Sequence, residues 1–220
     1  MQMIISRPGD ITPLNVDLWQ LELGQVSVRG DWLSVSEQAW LEKLGLFSRA
    51  GQQFYQSRSL LRWVLSHYVS VPPTGIHLCF TPTGKPYLDR WAHDPAWQFS
   101  WSHAGAIAVA AITRDVPVGV DIEQIKPRPR ARQIAQRFFS PTAQAHLESL
   151  PEPGYTKEFL RGWTGLEAKI KAMGGQLFQS EPCPHPNQTV NFTIGSHYVG
   201  AVVALTDQPV SLKVICKLPQ

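Results

Sequence analysis

The sequence predicts an α+β fold built from two similar units. Three observations carry that expectation. Strand-like and helix-like segments are too intermixed for a helical bundle or a β-sandwich. Each half holds one long amphipathic helix and several strands, and the halves meet near Arg114 to Val118. The 220 residues include 43% hydrophobic and only 17% charged side chains, below the usual charged share of about 25%. Such a chain buries a sizeable core, and its composition is not that of a disordered one. At roughly 150 residues per domain, the length fits one large domain or two small ones. The expected division is an N-terminal unit of residues 1–115 and a C-terminal unit of residues 116–220. No residue-level repeat accompanies it.

The elements follow in order. The first thirty residues read as a strand or two with turns, and Val16 to Leu23 alternates apolar and polar. Ser34 and Ser36, followed by Glu37 and Gln38, signal a helix start, with the helix running to Leu46. Phe54 to Val69 is a longer helix: Leu61, Val64, Leu65 and Tyr68 recur at helical spacing, with Arg58 and Arg62 on a neighbouring face. Ile76 to Phe80 is a short strand, and Thr81-Pro-Thr-Gly-Lys-Pro86 a strong turn. Strands are expected at Gln98 to Ser102, Ala106 to Thr113 and Val116 to Ile125. A basic, proline-broken stretch from Lys126 to Arg132 precedes helices at Arg132 to Phe138, Pro141 to Leu150 and Tyr155 to Met173. Strands at Thr189 to Ile194, Tyr198 to Leu205 and Val210 to Lys217 close the chain.

Composition narrows the function classes. The net charge of +3, from 20 basic and 17 acidic residues, is too mild to announce a nucleic-acid binder by itself, although a nucleic-acid module on the Lys126 to Arg137 run is a competing reading. Cys79, Cys183 and Cys216 form no CxxC pair, which fits a reducing compartment. Met1 to Asp10 carries Arg7 and Asp10 and no long apolar run, so no signal peptide is expected. The longest stretch free of charged residues, Pro182 to Thr206, is too polar to span a membrane. The expectation is a soluble, cytoplasmic protein.

Five groups of residues can carry chemistry. In Gly119-Val-Asp-Ile-Glu123, Asp121 and Glu123 stand two apart on a strand and share a face, with Val120 and Ile122 on the core side. They form either a solvated acidic edge or an oxygen-ligand site for Mg²⁺. Glu167 and Lys171, one helical turn apart, are either a surface ion pair or a third carboxylate and a cation for the same site. Lys85, in Gly84-Lys-Pro86, is a solvated turn lysine or a point charge aimed at a phosphate. His103, with Ser102 beside it at the end of a strand, is either a satisfied structural or surface histidine or a donor to a phosphate; no GxSxG elbow or metal-type histidine spacing is present. Lys126, Arg128, Arg130 and Arg132, continuing to Arg137, are a solvated loop or a docking surface for an acidic partner.

The order of these groups is more specific than any one of them. GKP, a Ser-His-Ala-Gly strand end, GVDIE, Arg-Phe-Phe-Ser140 and Trp163-Thr-x-x-Glu-Ala-x-x-Lys171 together resemble the 4′-phosphopantetheinyl transferases of the surfactin (Sfp) type. The motifs run from about Phe54 to Met173. The resemblance implies a pseudodimer of two α/β subdomains, each a long helix on a small, mostly antiparallel sheet, with CoA in the cleft between them. It implies transfer of the phosphopantetheine arm of CoA to a serine of an apo acyl or peptidyl carrier protein, releasing adenosine 3′,5′-bisphosphate. Asp121, Glu123 and Glu167 match the Mg²⁺ ligands, so that the C-terminal unit carries most of the metal site. Lys171 matches the lysine at the reacting phosphates, and Glu167, as ligand, base or both, is the candidate that activates the carrier serine directly or through a water. Arg58, Lys85, Ser102, His103 and Lys171 match positions that bind CoA.

The carrier is expected to be acidic, which gives Lys126, Arg128, Arg130 and Arg132 a natural partner. Carriers of fatty-acid, polyketide, peptide and glycolipid synthases all fit. Since both halves of the site lie in one chain, a monomer is expected, with no nucleic acid or membrane partner. One position departs from the family pattern: Leu166 stands where a lysine often precedes the helix glutamate. It keeps open the alternative of a degenerate homologue that binds CoA or a carrier without efficient transfer.

Overall fold

The computed structural model describes residues 14–24, 32–175 and 186–216. Cys183, residue 217 and any second strand within residues 25–30 lie outside the described residues. The N-terminal half runs β1 (Leu14–Glu22), α1 (Val35–Leu44), α2 (Arg49–Ser66), β2 (Leu78–Phe80), β3 (Pro86–Leu88), β4 (Trp97–Ala104) and β5 (Ile107–Arg114). The C-terminal half runs β6 (Val118–Gln124), α3 (Ala131–Phe138), α4 (Pro141–Glu148), α5 (Gly154–Ala172), β7 (Gln188–Ile194), β8 (Tyr198–Ala204) and β9 (Val210–Ile215). The protein is α+β, with mostly antiparallel sheets.

The two halves repeat one topology. β1, α2, β4 and β5 form a strand–helix–strand–strand unit whose sheet order is β4-β5-β1. β6, α5, β7 and β8 form the same unit with the order β7-β8-β6. In both, the last strand lies in the middle and pairs antiparallel with its two neighbours. β9 then crosses back and pairs parallel with β1, so the N-terminal sheet contains a strand from beyond residue 115.

Packing follows from strand alternation. On β1, Trp19 and Leu21 face α2, whose Leu60, Leu61, Val64 and Leu65 lie against them. Val16 and Leu18 point the other way, onto Val120, Ile122 and Val202 of the second sheet. α5 covers the far side of that sheet through Phe159, Trp163, Ala168 and Ala172. The layers are therefore helix, sheet, sheet, helix. Each large aliphatic side chain buried in these layers contributes about 1.5–3 kcal/mol.

Several boundaries differ from the sequence reading. α2 begins at Arg49 rather than Phe54, because Ser48 caps it by accepting from the Gly51 N–H at 2.9 Å. Its first turns carry no apolar periodicity to announce them. α1 ends at Leu44, where Gly45 leaves the helix at φ 81°. β3 was not expected: it is three residues long and starts on a proline. Among the described residues no helix is long and apolar enough to cross a membrane.

Candidate functional site

The site is built where β4, β6 and α5 meet. Gly119 makes the meeting possible: a Cβ there would lie 1.8 Å from the Ala168 carbonyl oxygen and 2.6 Å from the Ala172 nitrogen. Only a glycine lets the α5 backbone come this close to β6. Two residues on, Asp121 shares that face and lies under α5, 3% exposed. It is not part of a solvated acidic edge. On the opposite strand, Ser100 Oγ accepts from the Val120 N–H at 3.0 Å and ties β4 to β6.

Three side chains from three elements then converge. Ser102 Oγ donates to Asp121 Oδ1 at 2.7 Å. Lys171 Nζ donates to the same oxygen at 2.6 Å and lies 3.1 Å from Ser102 Oγ. Lys171 thus reaches across to the neighbouring sheet, which helical spacing alone does not disclose. Glu167, one turn earlier on α5, lines the adjoining pocket. Burial, together with the charges of Asp121 and Glu123, raises its proton affinity; Lys171 and Arg128 oppose this. Glu123 is shifted the same way, first by burial, against the ion pair it makes with Arg128.

Two pockets adjoin at Pro86 and Trp101. The first, about 350 Å³, is lined by Lys85, Ser100, Glu167 and Lys171. Lys85 is carried there by the β2–β3 turn, which Thr83 fastens to the end of α5 by donating to the Gly174 carbonyl at 2.6 Å. Its ammonium donates to the Val118 carbonyl at 3.2 Å, and burial lowers its pKa to about 8. The second pocket, about 380 Å³, is lined by Gln53, Ser57, Arg58 and His103. His103 Nδ1 lies 3.3 Å from Gln53 Nε2, and Trp101 Nε1 donates to Ser57 Oγ at 2.9 Å. Burial and the charge of Lys171 lower the His103 pKa, with Asp121 opposing.

Among the described residues, no three His, Cys, Asp or Glu side chains form a ready metal cluster. The donors nevertheless suit a hard divalent cation. Asp121 Oδ2 is buried and has no hydrogen-bond partner. The charge of Asp121 acts on both Glu123 and Glu167, and that of Glu123 on Glu167; oxygen ligands of this kind suit Mg²⁺.

The basic run is partly engaged within the chain. Arg128 pairs with Glu123 and Arg132 with Glu148, while Lys126 and Arg130 are exposed. Leu166 packs beside Phe139 and Leu147 at the mouth of an apolar slot between α4 and α5. Gln53, Ser57 and Trp101 were not singled out from the sequence; their polar and aromatic side chains carry no motif.

A sequence model described as the 4′-phosphopantetheinyl transferase superfamily matches residues 117–208. A second, described as 4′-phosphopantetheinyl transferase, N-terminal, matches residues 18–114. The chain is similar to the 4′-phosphopantetheinyl transferase HetI of Nostoc sp., at 31% identity over 80% of this chain and 77% of the relative. It is similar to the 4′-phosphopantetheinyl transferase of Bacillus subtilis, at 34% identity over 54% of this chain and 50% of the relative. It is also similar to the 4′-phosphopantetheinyl transferase AcpT of Escherichia coli K12, at 32% identity over 61% and 67%.

Proposed function

We propose, from the premise that this chain belongs to the 4′-phosphopantetheinyl transferase family and is a transferase enzyme, that it moves the phosphopantetheine arm of CoA to a serine of an apo acyl or peptidyl carrier protein. The observation that carries this reading is the convergence of Ser102, Asp121 and Lys171 beside a pocket that also holds Lys85 and Glu167.

The serine oxygen forms a new bond to the pantetheine-side phosphorus of CoA. The bond from that phosphorus to the bridging oxygen breaks, and adenosine 3′,5′-bisphosphate leaves with the electron pair. A serine hydroxyl is a weak nucleophile and needs a base. Glu167, in the same pocket as both lysines, takes its proton directly or through one water. Lys171 holds the leaving phosphate oxygens and supplies a proton to them. Lys85 holds the diphosphate as a point charge. Asp121, Glu123 and Glu167 would hold Mg²⁺, which would supply the countercharge that phosphoryl transfer requires.

CoA carries a second anionic centre, its 3′-phosphate. The adjoining pocket with Arg58, His103 and Gln53 suits it, since an arginine fork matches phosphate geometry. The carrier approaches over Lys126, Arg128, Arg130 and Arg132, where charge raises the association rate. An acidic carrier is the partner such a surface favours. We place the enzyme in the cytoplasm as a monomer, because one chain supplies both sides of the pocket.

The test is intact-mass spectrometry of an apo acyl carrier protein after incubation with this protein, CoA and Mg²⁺. The expected result is a gain of one phosphopantetheinyl arm that disappears with EDTA and in Asp121→Ala and Glu167→Ala. A second reading, a homologue that binds without efficient transfer, is favoured by Leu166 alone. It predicts no mass gain with several acidic carriers while CoA still binds.

A further inference from the structure

Glu37 sits outside both pockets, on α1, yet it is joined to the arginine of the second one. It occupies the third position of α1 in a capping box, where its Oε2 accepts from the Ser34 N–H at 2.8 Å. The same oxygen accepts from Arg62 Nε at 2.7 Å. Arg62 is itself immobilised: it is 2% exposed and donates from Nη1 to the carbonyls of Pro73 at 3.0 Å and Ile76 at 2.7 Å. The other oxygen of Glu37 faces Arg58 Nε at 3.3 Å. Arg58 is further held by the rings of Phe54 and Phe80, 5.7 and 5.3 Å from its guanidinium carbon.

One buried carboxylate therefore stands between two arginines on successive turns of α2. Arg62 closes the backbone of the 73–76 turn, and Arg58 lines the second pocket. Without the carboxylate, the two guanidinium groups repel one another and, among the described residues, no other anchored group engages the Nε edge of Arg58.

We propose that Glu37 is a positioning residue of the nucleotide pocket: clamped by Ser34 and the buried Arg62, it fixes the guanidinium of Arg58 for the 3′-phosphate of CoA. This rests on the reading above that the Arg58 pocket receives that phosphate.

The experiment measures the dissociation constants of CoA and 3′-dephospho-CoA by calorimetry for wild type, Arg58→Ala, Glu37→Gln and the double variant. The readout is the ratio of the two constants. A general loss of structure weakens both ligands alike, whereas a misplaced Arg58 weakens only the one with the 3′-phosphate. Charge-assisted hydrogen bonds to phosphate make the wild-type ratio about tenfold or more. The expected result is that Arg58→Ala and Glu37→Gln each bring it to about twofold, and that the double variant goes no lower. Glu37→Asp leaves an acid for Arg62 but is too short to serve Arg58 as well; it is expected to collapse the ratio and covers a glutamine variant that does not fold. A full ratio in the Glu37 variants, with collapse in Arg58→Ala, overturns the positioning role alone. A full ratio in Arg58→Ala overturns the reading of the pocket, and the positioning role with it.

Discussion

A lysine in a half-buried pocket attracts phosphate only while it holds its proton, and Lys85 is poised to lose it. Burial lowers its pKa to about 8, and the Val118 carbonyl to which its ammonium donates is neutral. Below that value the ammonium is charged and holds CoA; above it the charge fades. Bound phosphate favours the charged form, so the pKa rises in the complex and affinity falls as the free protein deprotonates. CoA affinity is expected to be level from about pH 7 to about pH 8 and to weaken by up to about tenfold per unit beyond it. Calorimetry on wild type and Lys85→Met, run side by side, checks this: the variant binds more weakly and lacks the bend. Gly119 acts by what it omits. Gly119→Ala places a methyl against the α5 backbone at Ala168, which a rotamer change cannot relieve. Overpacking of this kind costs about 1–3 kcal/mol, and relief by moving α5 separates Lys171 from Asp121. The variant is expected to unfold at lower denaturant and to lose transfer even where it is fully folded.

At the scale of elements, the β2–β3 hairpin delivers Lys85 on its turn, and a histidine ties the segments that flank its two strands. His93 Nε2 accepts from the His77 N–H at 2.8 Å, so its ring must be neutral there. Burial lowers its pKa, as does the neighbouring His77, while Asp89 opposes. The folded pKa lies below the unfolded value of about 6.5. The unfolded chain then binds the proton more readily, and the stability from this contact is complete above about pH 6.5 and is lost as pH falls toward the folded value. Urea unfolding at about pH 7.5 and about pH 5 is expected to show a larger loss for wild type than for His93→Gln, whose amide oxygen accepts without titrating. The hairpin also marks what elements reveal in sequence. Its turn was legible from Pro82, Gly84 and Pro86, because those residues restrict the backbone locally. β3 was not, since it starts on the proline that closes that turn and only two residues follow it. The start of α2 escaped for a related reason: Arg49, Gln52 and Gln53 give no apolar stripe, and only the Ser48 cap marks the end.

At the scale of the whole molecule, local spacing identified the carboxylates but not their partners. Asp121 and Glu123 could be read as sharing a face, yet the contacts from Ser102 and Lys171 arise from sheet order and helix placement. The return of β9 to β1 is equally silent, because parallel pairing across the length of the chain leaves no local pattern. The same long-range packing dictates how the molecule unfolds. Val16, Leu18 and Val109 of one sheet meet Val120, Ile122 and Val202 of the other, all 0–2% exposed. Neither half can keep this face covered alone, and β9 adds a further tie. We propose that the two halves, which repeat one topology over the described residues, have no independent stability. Ile122→Ala lies in the C-terminal half and opens a cavity against the N-terminal sheet, at a cost of about 2–5 kcal/mol. Tryptophan fluorescence reports mainly on the N-terminal half, through Trp19, Trp63, Trp97 and Trp101, whereas far-ultraviolet dichroism reports on both. In Ile122→Ala the two transitions are expected to shift together to lower denaturant and to remain superimposable. A fluorescence midpoint that stays at the wild-type value while the dichroism moves would show that the halves unfold independently.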